Sequence, residues 1–144
     1  SYKKNEIRFK ASLWLIRSYV QKQDFMAAEM ELDEVENERK FPKKLDTELA
    51  KVSADYYLQQ NNLPLALEQL GKLEKLIKRK RKKVRYNYIM AQIYQQNNNH
   101  KKAKQQYERV LKASPEYEMV FNAKMNLARS LESGSRDLDK MRQK

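Results

Sequence analysis

The chain has 144 residues, a length that suits one compact domain or three to four helical repeats. Two Gly, three Pro and no Cys exclude disulfide staples, thiolate metal sites and a linker-like composition. A net charge of +12 with 35% charged residues would favour disorder if the apolar residues were scattered, but they are gathered into helical stripes.

In chain order, Ser1 to Lys4 reads as a frayed lead and a first helix is predicted from about Asn5 to Lys22. Asn5 and Glu6 supply a cap and an early carboxylate. The apolar set Ile7, Phe9, Leu13, Trp14, Leu15, Ile16, Tyr19 and Val20 is too wide for one stripe. Trp14 therefore packs on a preceding helix or lines a binding surface. The second helix, Phe25 to about Arg39, carries Glu29, Glu31, Asp33, Glu34, Glu36 and Glu38. With no His or Cys beside them these carboxylates read as a solvated flank, and Phe41-Pro42 ends the helix. Asp46 or Thr47 caps a third helix reaching Gln60, with Leu49, Val52, Ala54, Tyr56 and Tyr57 inside. Pro64 opens a fourth, which buries Leu65, Ala66, Leu70, Leu73, Leu76 and Ile77. Gly71 within it marks a close helix approach.

Next comes Lys78-Arg79-Lys80-Arg81-Lys82-Lys83. As a solvated turn it is favoured by the dipole of the helix before it, and as a patch it would suit nucleic acid or an anionic surface. No exposed aromatics are interleaved with it, which argues against RNA. Ile89, Met90, Ile93 and Tyr94 then recur at three- and four-residue spacing, Asn98 and Asn99 make a turn, and Ala103, Tyr107, Val110 and Leu111 form a second stripe that stops at Ser114-Pro115. A seventh helix is predicted over Tyr117 to Leu131, and an eighth is started by Asp137 to Lys144. No apolar run is long enough to span a bilayer, and a chain that begins at Ser1 without Met reads as a fragment of a longer one. His100 is the only histidine, so no multi-histidine metal site or cysteine–histidine catalytic pair is expected.

The helix pairs repeat. Ala28, Ala66 and Ala103 are each followed four residues on by Leu32, Leu70 or Tyr107, and seven on by Val35, Leu73 or Val110. Nine residues before each Ala stands Tyr19, Tyr57 or Tyr94, and four before stands a capping type, Asp24, Asn62 or Asn99. This pattern resembles the tetratricopeptide repeat, most fully in Met90, Ala91, Tyr94, Ala103, Tyr107 and Pro115. The second copy closes on Lys78 instead of Pro, and the first has the bulky Ile16 where a small residue is usual. The resemblance implies an all-α solenoid of seven to eight helices in one domain, residues 1–144. Its repeats lie near 9–42, 47–80 and 84–115, with a partial or capping copy over 117–144.

The resemblance also implies a non-catalytic scaffold that binds a protein or peptide on the concave face lined by the first helix of each pair. Projected onto this chain, that face holds Lys10, Leu13, Trp14, Arg17, Lys51, Asp55, Leu58, Arg85, Tyr88, Gln92, Asn122, Met125 and Arg129. Its mixed basic and apolar lining suits a segment of acidic character. No cofactor is expected, and the carboxylate clamp with which some of these proteins hold chaperone tails is not retained. Nucleic-acid or anionic-surface binding through Lys78 to Lys83 is the alternative. The stretches PEYEMVFNAKMNLARS, Pro115 to Ser130, and LWLIRSYVQKQDFMAAEMELDEV are similar to tetratricopeptide lipoproteins of Bacteroidetes linked to gliding motility and type IX secretion. That likeness implies a periplasmic or outer-membrane-associated scaffold whose lipidated Cys lies outside the chain.

Overall fold

A computed structural model describes residues 2–113 and 122–129 of the chain. The elements are α1 (Tyr2–Gln21), α2 (Phe25–Glu36), a 3-10 turn (Lys43–Leu45), α3 (Asp46–Gln59), α4 (Leu63–Leu76), α5 (Lys80–Gln96) and α6 (His100–Lys112). Residues 122–129 are also helical, and no strand occurs among the described residues. The chain divides into two compact units, Ser1–Leu76 and Ile77–Lys144.

One turn builds all three hairpins. Three residues separate α1 from α2, α3 from α4 and α5 from α6, and the middle one is left-handed each time: Gln23 at φ 62°, Asn61 at 58° and Asn98 at 61°. Its N–H donates to the carbonyl of Val20, Leu58 or Gln95, and the next N–H donates to that of Tyr19, Tyr57 or Tyr94 at 2.8–2.9 Å. These two bonds close the ending helix on its orphan carbonyls. The residue that makes the second bond also starts the following helix: Asp24 Oδ1 accepts from Ala27 N–H, Asn62 Oδ1 from Leu65 N–H, and Asn99 Oδ1 from Lys102 N–H. Their carbonyls take the first helical bonds, from Ala28, Ala66 and Ala103.

Those three alanines have no exposed surface, and the residues four and seven positions on are buried with them. In the first unit Phe9, Leu13, Ile16 and Val20 of α1 form one seam that meets Ala28, Leu32 and Val35 of α2, and Leu45 of the 3-10 turn with Val52 and Tyr56 of α3 join the same core. Ile16 is accommodated with no exposure at all. Edge-to-face rings tie the elements together, Phe9 on Phe41 at 5.2 Å and Phe25 on Tyr56 at 6.3 Å. In the second unit Val84 and Ala91 of α5 pack with Ala103, Tyr107, Val110 and Ala113, and Ala123 and Leu127 of the 122–129 helix close over them.

Several boundaries and faces differ from the sequence reading. Lys3 and Lys4 are helical, not a frayed lead, and α2 stops at Glu36, where the Asn37 N–H caps the carbonyls of Asp33 and Val35. Leu65 and Leu76 are each 39% exposed, because the seam of α4 runs through Ala66, Leu70 and Leu73 and these two leucines lie to its side. Gly71 marks no close approach: a Cβ there would meet nothing within 4 Å. Only 122–129 of the seventh helix, and none of the eighth, falls within the described residues. The basic run is not a turn after a helix, since α5 begins at Lys80 and takes Lys80, Arg81, Lys82 and Lys83 into its first turn.

Two substitutions test these backbone assignments by thermal melting. Gln23→Gly should stabilise by about 1 kcal/mol and more than Asn98→Gly does, because glutamine pays the left-handed penalty that asparagine partly escapes. Gly71→Ala should stabilise by up to about 1 kcal/mol, since open space leaves only the helix-propensity gain.

Candidate functional site

In the first unit, α1 and the start of α3 bring four of the predicted residues together. Lys10, Leu13, Trp14 and Arg17 line a depression of about 280 Å³ with Leu45, Glu48 and Val52. Leu13, Leu45 and Val52 are buried and form an apolar floor, while Trp14 stands 66% exposed on the rim. A space of this size takes one anchoring side chain rather than a whole small molecule. Lys51, Asp55 and Leu58 lie along α3, each partly buried.

The cations on this surface already have carboxylates. Glu48 lies 3.7 Å from Arg17 and 3.3 Å from Lys51, and Glu6 lies 3.0 Å from Lys10 and 2.7 Å from Lys44. Hydrogen bonds from Lys44 and then Lys10 hold the Glu6 carboxyl below its ordinary range. An acidic ligand here must displace or share these pairs. Glu48, the bridge between two predicted contacts, is absent from the sequence projection. Its i,i+3 relation to Lys51 was visible there, but its reach across to Arg17 needed the packing of α1 on α3. A larger cavity, about 670 Å³, runs along α3 and α4 between Leu49, Ser53, Tyr57, Leu65, Lys72 and Leu76 and holds none of the predicted residues. Assigning Leu65 and Leu76 to the buried stripe hid it from the sequence reading.

The remaining predicted residues lie in the second unit. Arg85 and Gln92 are exposed on α5, and Asn122, Met125 and Arg129 lie on the 122–129 helix, whose Ala123 and Leu127 face the core. Tyr88 is partly buried: its ring meets Tyr107 edge-to-face at 6.1 Å and its hydroxyl accepts from Asn126 Nδ2 at 3.3 Å. It is thus a structural residue as well as a candidate contact. On the same helix, buried Asn87 donates to buried Gln106 at 2.9 Å, joining α5 to α6, and the Tyr107 hydroxyl donates to Gln95.

Of the basic run, Lys78 and Arg79 precede α5, and Arg79 caps it in an extended conformation without a side-chain hydrogen bond. The first turn of α5 contains no acidic residue. Cations there oppose the helix dipole, at a cost of several tenths of a kcal/mol each. Among the described residues no three histidine, cysteine or carboxylate side chains cluster as metal ligands, and no helix is long and apolar enough to cross a membrane.

Residues 84–117 match the family model of the tetratricopeptide repeat. That span takes in most of α5 and all of α6, and the turn, alanine and apolar anchors of that hairpin recur in α1–α2 and α3–α4. No curated protein and no solved structure matches the chain.

The buried phenol of Tyr107 gives the second unit a pH signature. Burial, with a smaller push from Tyr88 beside it, raises the hydroxyl from 10.0 to about 12. A raised value means that the native state keeps its proton where the unfolded chain loses it. This contribution is therefore complete below about pH 10 and is lost as pH rises towards 12. Tyr107→Phe should show a flatter decline in stability across that window than the parent, measured by denaturant titration at each pH.

Proposed function

We propose that the chain is a non-catalytic protein-interaction scaffold that holds a peptide or protein segment on the first helices of its hairpins. Tetratricopeptide repeats generally mediate protein–protein contacts, and the match over 84–117 supports that class of function. The observation that carries the reading is the α1–α3 depression, where an exposed Trp14 and the cations Lys10 and Arg17 surround an apolar floor. Trp and Arg are the residue types that dominate binding hot spots, because each offers planar contact area at modest entropic cost. In the second unit Arg85, Tyr88, Gln92, Asn122, Met125 and Arg129 form the corresponding set. Nucleic-acid binding has weaker support, since Tyr86, Tyr88 and Tyr94 are partly buried and offer no open stacking face. Membership of a secretion or gliding-motility assembly rests on sequence likeness alone, chiefly that of Pro115 to Ser130.

Trp14 is the only tryptophan, which makes its emission a direct reporter. Peptides selected from a random library on the full chain should shift that emission to shorter wavelength, as a solvated indole becomes covered. Trp14→Ala should weaken them by about 2 kcal/mol or more, mainly through a faster off-rate. Binders that neither move the emission nor notice the substitution would remove the α1 face from the proposal.

A further inference from the structure

All of the net charge lies on one of the two units. Ser1–Leu76 holds thirteen basic and thirteen acidic residues, whereas Ile77–Lys144 holds eighteen basic and six acidic and carries the whole +12. Over 77–113 twelve cations stand with a single carboxylate, Glu108, which lies 3.9 Å from Lys104. Val84 near the start of α5 shares a core cluster with Val110 and Ala113 at the end of α6, so those two helix ends lie together. Lys78 to Lys83 and Arg85 therefore collect with Arg109 and Lys112 at one end of the hairpin. All but Lys83 are exposed.

Two helix ends contribute, with opposite effects on the fold. Arg109 and Lys112 sit in the last turn of α6, where the dipole favours cations. Lys80 to Lys83 sit in the first turn of α5, where it opposes them, and neither a side-chain cap nor an acidic residue in that turn offsets this. Other helix starts carry cations too, Lys3 and Lys4 in α1 and Lys101 and Lys102 in α6, but α5 gathers four, without the side-chain cap of α2 and α6 or the carboxylates of α3, Asp46 and Glu48. Four cations gathered against one helix dipole break a local rule, as functional sites do.

We propose that this end of the α5–α6 hairpin docks a carboxylate-rich segment of a partner protein, whose charge relieves the repulsion at the start of α5. The proposal rests on the protein-binding reading above and names the chemistry of the partner. Carboxylates need only cations on a preformed surface. A single-stranded nucleic acid also needs stacking faces, and on this hairpin Tyr86, Tyr88 and Tyr94 are partly buried and Tyr107 is fully buried. A membrane surface calls for an apolar anchor, and neither α5 nor α6 exposes a large hydrophobic side chain.

The test uses the full chain, fluorescence anisotropy and three probes: a labelled peptide alternating Glu and Ala, oligothymidylate of matched charge, and phosphatidylserine vesicles, all at an ionic strength of about 0.15 M. Lys80→Glu with Lys82→Glu should weaken peptide binding about tenfold or more and raise the melting temperature of the ligand-free chain. Arg109→Glu with Lys112→Glu should weaken the peptide similarly but lower the melting temperature. The proposal is overturned if the first pair leaves peptide affinity unchanged, if it lowers the melting temperature, or if oligothymidylate or the vesicles bind more tightly than the peptide. Failure here with Trp14-dependent peptides still bound would sink this proposal alone. Loss of Trp14 dependence with the Glu-Ala peptide still bound would sink only the α1 face.

Discussion

Because the N–H of Asp24, Asn62 or Asn99 bonds back to a tyrosine carbonyl while the side chain of the same residue caps the next helix, one position ends one helix and begins another. That double use keeps the loop to three residues, and so short a loop makes the two helices antiparallel neighbours. It also fixes where they first touch. Four residues beyond the cap the chain is one helical turn into the new helix and faces the old one, and there Ala28, Ala66 and Ala103 let the helices approach. The buried residues four and seven positions further on result from the same geometry. Gln23 is the weak form of the device, since glutamine lacks the short side chain that eases asparagine into the left-handed region.

The same turn accounts for the features that were readable from the sequence. The anchors at minus nine, minus four, zero, plus four and plus seven each answer to a local backbone requirement, so their types recur and can be aligned by eye. Features that depend on rotation about a helix axis were harder. Leu65 and Leu76 are apolar and near the seam of α4, yet a turn of one position on the helical wheel puts them at its edge. Glu48 became part of the α1–α3 surface only when packing brought Arg17 beside it. The start of α5 was misplaced for a different reason. Dipole arguments assign cations to helix C-termini, but Lys and Arg are also good helix formers, and here that propensity wins once Arg79 is extended.

Electrostatics separates the two units in character. In the first, carboxylates sit beside the cations on and around the candidate surface: Glu6 serves Lys10 and Lys44, and Glu48 serves Arg17 and Lys51. Such partly exposed pairs add little stability, but they cap the field that an incoming anion would feel. Selectivity on that surface must come from the apolar floor and Trp14. In the second unit the stretch 77–113 holds twelve cations and one carboxylate, so the field is large and falls off with salt. A partner that engages both kinds of surface would be steered by the second and selected by the first.

Tyr88 shows why a surface projected from repeat position cannot be converted directly into a set of contacts. Its place on α5 makes it a candidate for binding, yet its ring rests on Tyr107 and its hydroxyl accepts a hydrogen bond from Asn126. Truncation to alanine would open a cavity beside a fully buried tyrosine and leave Asn126 without this acceptor, so a loss of binding would report damage to the unit as readily as a lost contact. Tyr88→Phe separates the two, because it keeps the edge-to-face packing and removes only the hydroxyl. If the ring face is what a partner meets, phenylalanine should bind nearly as well as tyrosine, with a measured cost of about 1 kcal/mol or less in stability from the single hydrogen bond. If instead affinity falls with the hydroxyl while the melting temperature holds, the polar tip is the contact and the Asn126 bond is exchanged on binding.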